Sequence, residues 1–149
     1  MWLAAFAGCD ALALTVRESL AMFESGATQV ARCQADRMRG SSGEVSRYQI
    51  MPEVWRQYTK SREYDNPEVA WTVAQRILLD RTNWFRELTG REPDTLELYL
   101  LWNKPGHFKS AEFVVDRVKS LFKRRAQRFA NLCLFASNRS SGQSEPQLN

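Results

Sequence analysis

The chain has 149 residues, of which 44% are apolar and 26% charged, and a formal net charge of +4. Those values fit a single soluble domain that buries roughly 70% of its unfolded surface. They exclude collagen-like, wholly disordered and multi-span membrane chains. The charge is unevenly spread: residues 1–108 carry net −1, whereas residues 109–139 carry net +6. The basic excess therefore belongs to the C-terminal stretch, and most of the chain is near neutral.

In chain order, residues 1–9 read as an apolar lead-in. Met1 to Gly8 lacks the basic n-region and the length of an export signal, so no clear signal peptide is present. No stretch reaches the roughly 20 apolar residues of a spanning helix, and no transmembrane segment is expected. A first helix is predicted from Asp10 to Ser25. Leu12, Val16, Leu20 and Phe23 recur at helical spacing, and Gly26 stands at the capping position. A long loop follows, from Gly26 to about Gln49, with room for a helical turn between Gln29 and Arg39. Pro52 opens a short helix through Tyr58.

Asn66-Pro67-Glu68 is a strong helix start: N-cap, proline at the first position, acid in the first turn. That helix ends near Gly90. Glu92-Pro93-Asp94 starts another, which runs to about Trp102 and is broken by Lys104-Pro105-Gly106. The last helix is expected from Ser110 to Phe135, with Phe113, Val114, Val118, Leu121, Phe122, Phe129 and Leu132 as apolar positions. Residues 136–149 read as a flexible polar tail. Strand-like alternation is absent, so the fold class is all-α, with one domain over residues 10–135.

Cysteine chemistry is weakly supported. Cys9, Cys33 and Cys133 form no Cys-x-x-Cys pair, and His107 is the one histidine. A zinc site needs about four ligands, so no metal or cofactor is expected. Buried or half-buried thiols are the simpler reading.

Glu24 is the carboxylate best placed for chemistry. It lies four residues after Leu20, on that residue's face of the helix. It also stands in the last turn, at the negative end of the helix dipole. Burial and dipole both disfavour its charged form and should raise its pKa. A raised carboxyl is what a general acid needs near neutral pH. A surface glutamate at a frayed helix end is the alternative. Glu18-Ser19, a second Glu-Ser pair, sits mid-helix and reads as a solvated face.

Two further segments are rich in binding chemistry. In Gly43 to Pro52, the side chains of Ser46, Tyr48 and Gln49 donate and accept hydrogen bonds, as a hydroxyl-rich and amide-rich ligand requires. Glu44 is a candidate second carboxylate facing Glu24, and two carboxylates across a cleft are the usual equipment for glycoside cleavage. An ordered loop that satisfies its own backbone is the alternative. In Tyr99 to Phe108, Trp102 and Asn103 pair an aromatic plate with an amide, which suits a sugar. A core tryptophan with an asparagine cap is the alternative.

Phe23-Glu24-Ser25-Gly26, Gly43 to Pro52, and Leu101-Trp102-Asn103-Lys104-Pro105-Gly106 occur in an order that resembles the lysozyme-like lytic transglycosylases, the soluble transglycosylase and goose-type lysozyme group. That family carries a Glu-Ser pair ending a helix, a Gly-x-x-Gly-Leu-Met-Gln-x-x-Pro-like segment, then Tyr-Asn-x-Gly. Glu24 matches the family's catalytic acid, and Gly43, Gln49 and Pro52 match the middle motif. Asn103 matches the last motif, with Trp102 in place of tyrosine. Ser46 replaces a glycine, Tyr48 a methionine and Glu44 a small residue. Lys104-Pro105-Gly106 replaces Ala-Gly, and the interval from Glu24 to Gly43 is longer than usual.

The resemblance implies a lysozyme-like domain that cleaves the β-1,4 bond between N-acetylmuramic acid and N-acetylglucosamine in peptidoglycan. It implies Glu24 as general acid and then base, with Glu44 as a second candidate if water is the acceptor. It places the protein in the periplasm or outside the cell. A monomer is expected. A non-catalytic glycan-binding or structural module on the same fold is the alternative. A nucleic-acid or acidic-surface binder using Lys119, Lys123, Arg124, Arg125 and Arg128 is a third reading. No nucleic-acid motif accompanies those cations, so no nucleic-acid partner is expected.

Overall fold

The computed structural model describes the backbone of residues 7–141 and the side chains of residues 16–135. The fold is all-α, with six α-helices and, among the described residues, no strand. In order these are α1 (Ala7–Ser25), α2 (Pro52–Tyr58), α3 (Pro67–Thr89), α4 (Thr95–Asn103), α5 (Pro105–Ser110) and α6 (Ser120–Ser141). Two short 3-10 turns, Gln34–Arg37 and Val115–Arg117, lie between them. No helix is long and apolar enough to cross a membrane among the described residues.

Local chemistry sets the helix ends. Gly26 (φ 75°) closes α1 in the left-handed region that glycine enters without steric cost. The Asn66 side chain accepts from the backbone N–H groups of Glu68 and Val69 at the start of α3. Asp94 and Glu97 form a reciprocal capping box at the start of α4. Glu97 is itself buried, and Arg91 grips its carboxylate with two bonds of 2.7 and 2.6 Å.

The short helix α4 is the centre of the molecule. Tyr99, Leu100, Leu101 and Trp102 are all buried, as a helix apolar on every side must be. It packs against α3, α5 and α6, and α6 packs in turn on α1. Phe23 of α1, Tyr99 of α4 and Phe129 of α6 meet ring to ring, with centroids 4.8 to 5.8 Å apart. This aromatic knot fixes the end of α1 against α4, and so positions Glu24.

The long loop between α1 and α2 is ordered by one buried ion pair. Arg47 holds Asp36 through bonds of 2.5 and 2.9 Å, and also donates to the carbonyls of Gln29 and Ala31. The side chains are 3% and 0% exposed respectively. Burial alone would raise the Asp36 carboxyl; the Arg47 hydrogen bonds and charge and the Cys33 amide outweigh it and hold it below the ordinary range. An isolated antiparallel bridge between Val45 and Ile50 then pinches off the turn that precedes α2.

The sequence expectation differs from the structure at the C-terminal third. Lys104-Pro105-Gly106 does not simply break a helix: Pro105 starts α5. The last helix begins at Ser120, ten residues later than its apolar spacing predicts. Glu112 (φ 54°) and Phe113 (φ 57°) are left-handed and stop helical propagation there. Phe113 gains instead a seat among Trp84, Phe85 and Phe108, with centroids 5.2 to 5.3 Å away. At the other end, α6 continues to Ser141, past the start of the expected tail. Residues 1–6 of the lead-in and residues 142–149 of the tail lie outside the described residues, as does the Cys9 side chain. In the Glu18-Ser19 pair, Glu18 is exposed but Ser19 faces the core.

Candidate functional site

A cleft of about 530 Å³ opens where the end of α1, the loop before α2 and the C-terminal end of α4 converge. Glu24 lines it from α1, and Glu44 and Gln49 line it from the loop. Trp102 and Asn103 contribute from α4, with Arg81 of α3 and Arg125 of α6 beside them. The floor is apolar, from Ile50, Met51, Val54 and Ile77.

Glu24 sits in the last turn of α1 with its side chain 6% exposed. Tyr99 donates its hydroxyl to Glu24 Oε1 at 2.6 Å, and Arg125 Nη2 donates to Glu24 Oε2 at 3.3 Å. Arg125 Nε also donates to the Tyr99 hydroxyl at 2.7 Å, closing a three-residue ring of contacts. Burial raises the Glu24 carboxyl above its ordinary range. The Tyr99 bond and the Arg125 charge pull the other way without cancelling it, and the Glu44 charge adds to the rise. The Tyr99 hydroxyl is pushed up by burial and by the Glu24 charge, so it remains a proton donor in that bond.

Glu44 lines the same cleft, and its carboxylate is tied into its own turn. It accepts the Ser42 N–H at 3.0 Å, while its carbonyl accepts the Gly40 N–H at 3.0 Å. The turn brings the Glu44 and Gln49 side chains against residue 40. A Cβ there would lie 2.7 Å from Gln49 Oε1 and closer still to the Glu44 carboxylate. Gln49 is left-handed (φ 50°) and donates its amide to the Ser46 carbonyl at 2.9 Å.

Five of the seven residues singled out from the sequence thus share one cleft: Glu24, Glu44, Gln49, Trp102 and Asn103. Ser46 and Tyr48 do not. Ser46 is buried and left-handed (φ 64°), and its hydroxyl accepts the Tyr48 N–H at 3.3 Å. Tyr48 lies in the core against Trp71, where burial pushes its hydroxyl up to about 12 against the pull of the Arg17 charge. The physical reason is the tight Val45–Ile50 turn: it buries every residue between those two except Gln49, which alone is left to line the cleft. Trp102, at 9% exposure, offers the cleft little of its ring. Asn103 is half-buried at the end of α4, and Lys104, not Asn103, occupies the cap.

Sequence reasoning missed Tyr99, Arg125 and Arg81 as site residues. Tyr99 stands four residues before Asn103, so helical spacing alone puts the two on one face. Arg81 donates to the carbonyls of Leu101 and Trp102 and satisfies the end of α4. Burial lowers its guanidinium from the usual value. Nothing in the local sequence pairs Arg125 with Glu24, 101 positions away.

Chemically, the cleft combines a protonatable carboxyl with amides, guanidiniums and an apolar floor. That set suits an amphipathic, hydroxyl-bearing ligand better than a flat apolar one. Comparison with protein-family models, with curated proteins and with solved structures finds no match to this chain. The fold and site together define an all-α protein with a polar cleft built around one buried carboxyl group.

Proposed function

We propose that the protein is a lysozyme-like glycosidase of the lytic transglycosylase type, acting on the β-1,4 bond between N-acetylmuramic acid and N-acetylglucosamine outside the cytoplasm. The observation that carries the reading is Glu24: a 6% exposed carboxyl, raised by burial, on the wall of a polar cleft shared with Gln49 and Asn103. The order of motifs around those residues supports the substrate assignment.

In this mechanism protonated Glu24 gives its proton to the glycosidic oxygen as the C1–O bond breaks. The leaving sugar departs as an alcohol, and positive charge develops at C1. Glu24, now a carboxylate, takes the proton of the muramoyl 6-hydroxyl as that oxygen bonds to C1. The product is an anhydro ring, and Glu24 is again protonated. Tyr99 and Arg125 hold the carboxylate in place between the two steps and favour its charged form. Glu44 lines the same cleft, and a water it orients would give hydrolysis instead. Asn103 and Gln49 offer amides to the acetamido and hydroxyl groups of the sugars.

Incubation with purified peptidoglycan, followed by mass spectrometry, tests the reading. Anhydro-ended muropeptides support the transglycosylase route, and reducing ends support hydrolysis by way of Glu44. No released product at any pH between 4 and 8 contradicts both.

One observation favours a second reading, a non-catalytic glycan-binding module. Tyr99 and Arg125 already occupy both oxygens of Glu24. That reading predicts sedimentation with peptidoglycan and no cleavage.

A further inference from the structure

The α6 helix carries a second feature, which the cleft does not use. A groove of about 490 Å³ runs between α1 and α6. Its apolar walls are Met22 and Phe23 from α1, and Leu121 and Leu132 from α6. Arg124, Arg125 and Arg128 line it, and no carboxylate does. The α6 residues recur at intervals of three and four and so form one helix face.

Two details make this more than a solvated basic face. The Arg125 and Arg128 guanidiniums lie 5.4 and 5.9 Å from the centroid of the Phe23 ring, which restrains both of them in the groove. Arg125 also lines the cleft and reaches Glu24, so groove and cleft share one side chain. Among the described residues, Arg124 and Arg128 form no ion pair.

We propose that this groove binds a carboxylate-bearing peptide branch of the polymer whose glycan lies in the cleft; the second half of that statement rests on the glycosidase reading. Guanidinium groups match carboxylates bidentately, and the aliphatic walls receive small apolar side chains beside the acid. A nucleic-acid backbone needs cations strung along a line of phosphates. Here the arginines converge on one groove, and the neighbouring Lys123 is already paired with Asp116 at 3.2 Å. The compact patch with apolar walls therefore fits a short acidic peptide better.

Two measurements on the full-length protein test this. Affinity is compared for glycan strands that carry their peptides and for strands stripped of them. The unaltered protein should bind the peptide-bearing strands roughly tenfold more tightly. The double variant Arg124→Gln/Arg128→Gln should lose that difference and bind stripped strands as before. Equal affinity of the unaltered protein for both strand types overturns the proposal. In the second measurement, the acetylated tripeptide Ala-Glu-Ala is titrated by NMR. Chemical-shift changes confined to the α1–α6 groove support the proposal, and their absence overturns it. Tighter, steeply salt-dependent binding of a DNA 12-mer at the same residues also overturns it, in favour of a general polyanion surface. Failure to cleave either strand type counts against the glycosidase reading alone, because the tripeptide titration decides the groove without any turnover.

Discussion

Replacing Arg47 with methionine should be the most damaging single change outside the cleft. The substitution keeps an unbranched, apolar side chain of similar reach but leaves Asp36 buried with no cation. Arg47 makes two bonds to Asp36 and two to backbone carbonyls, with its side chain 3% exposed and that of Asp36 0% exposed. Breaking one side of such a buried pair costs about 3–5 kcal/mol. That is a large share of the roughly 5–15 kcal/mol that holds a domain together. It corresponds to a fall in Tm of roughly 6–20 °C for a chain of this size. Urea titration and thermal melts followed by circular dichroism at pH 7 measure it. The sign of the pH dependence is also fixed. The Asp36 carboxyl is depressed in the folded protein, so its contribution is present above the unfolded value, near about 4, and is lost as pH falls through the folded value. In Arg47→Met the buried carboxylate instead gains from protonation. The stability gap between the two proteins should therefore shrink as pH falls, first above about 4, where the variant's folded state takes up its proton, and then below about 4, where the unaltered protein loses the contribution of its depressed carboxyl. A loss under about 1 kcal/mol at pH 7, or a gap that widens in acid, would refute the role assigned to this pair.

Other perturbations address the cleft. Gly40→Ala places a methyl against the Glu44 carboxylate and the Gln49 amide, the far ends of two flexible side chains, so it should cost less than about 1 kcal/mol in stability yet reduce cleavage by displacing that wall, both measurable in one preparation. Tyr99→Phe removes the donor to Glu24 Oε1, which disfavours the carboxylate, so the alkaline limb of the cleavage profile should move to higher pH. Asn103→Ala should raise KM roughly tenfold with a smaller effect on kcat if the amide binds sugar. Finally, Glu24 has a raised carboxyl, so its favourable contribution to stability is complete below its unfolded value and is lost as pH rises through its folded value. The stability of the unaltered protein relative to Glu24→Gln should fall between pH 4 and 8, and a flat difference would show that the carboxyl is not raised.

Much of this architecture is legible locally. The Asn66-Pro67 start, the Gly26 and Gly90 ends and the Pro52 helix depend on capping and backbone preferences within a few residues, and the structure has them all. Glu24 could be placed on the core side because a helix carries its own ruler. The failures are of another kind. The start of α6 was hidden because Phe113 and Val114 continue the apolar spacing, while the aromatic pocket of Trp84, Phe85 and Phe108 draws Phe113 out of helical register. Ser46 and Tyr48 have the chemistry of ligand-binding residues, yet the left-handed turn around them directs that chemistry into the core. Tyr99 and Arg125 meet Glu24 only through packing of α1, α4 and α6, which no window of sequence contains.

The central claim is that Glu24 is the proton donor to a glycosidic bond. Initial rates of muropeptide release from purified peptidoglycan, compared between the unaltered protein and Glu24→Gln, test it most directly. Glutamine keeps the size and a hydrogen-bonding oxygen but has no proton to give. The account predicts a rate at least about a hundredfold lower for Glu24→Gln, with sedimentation on peptidoglycan retained. Equal rates for the two proteins would contradict it.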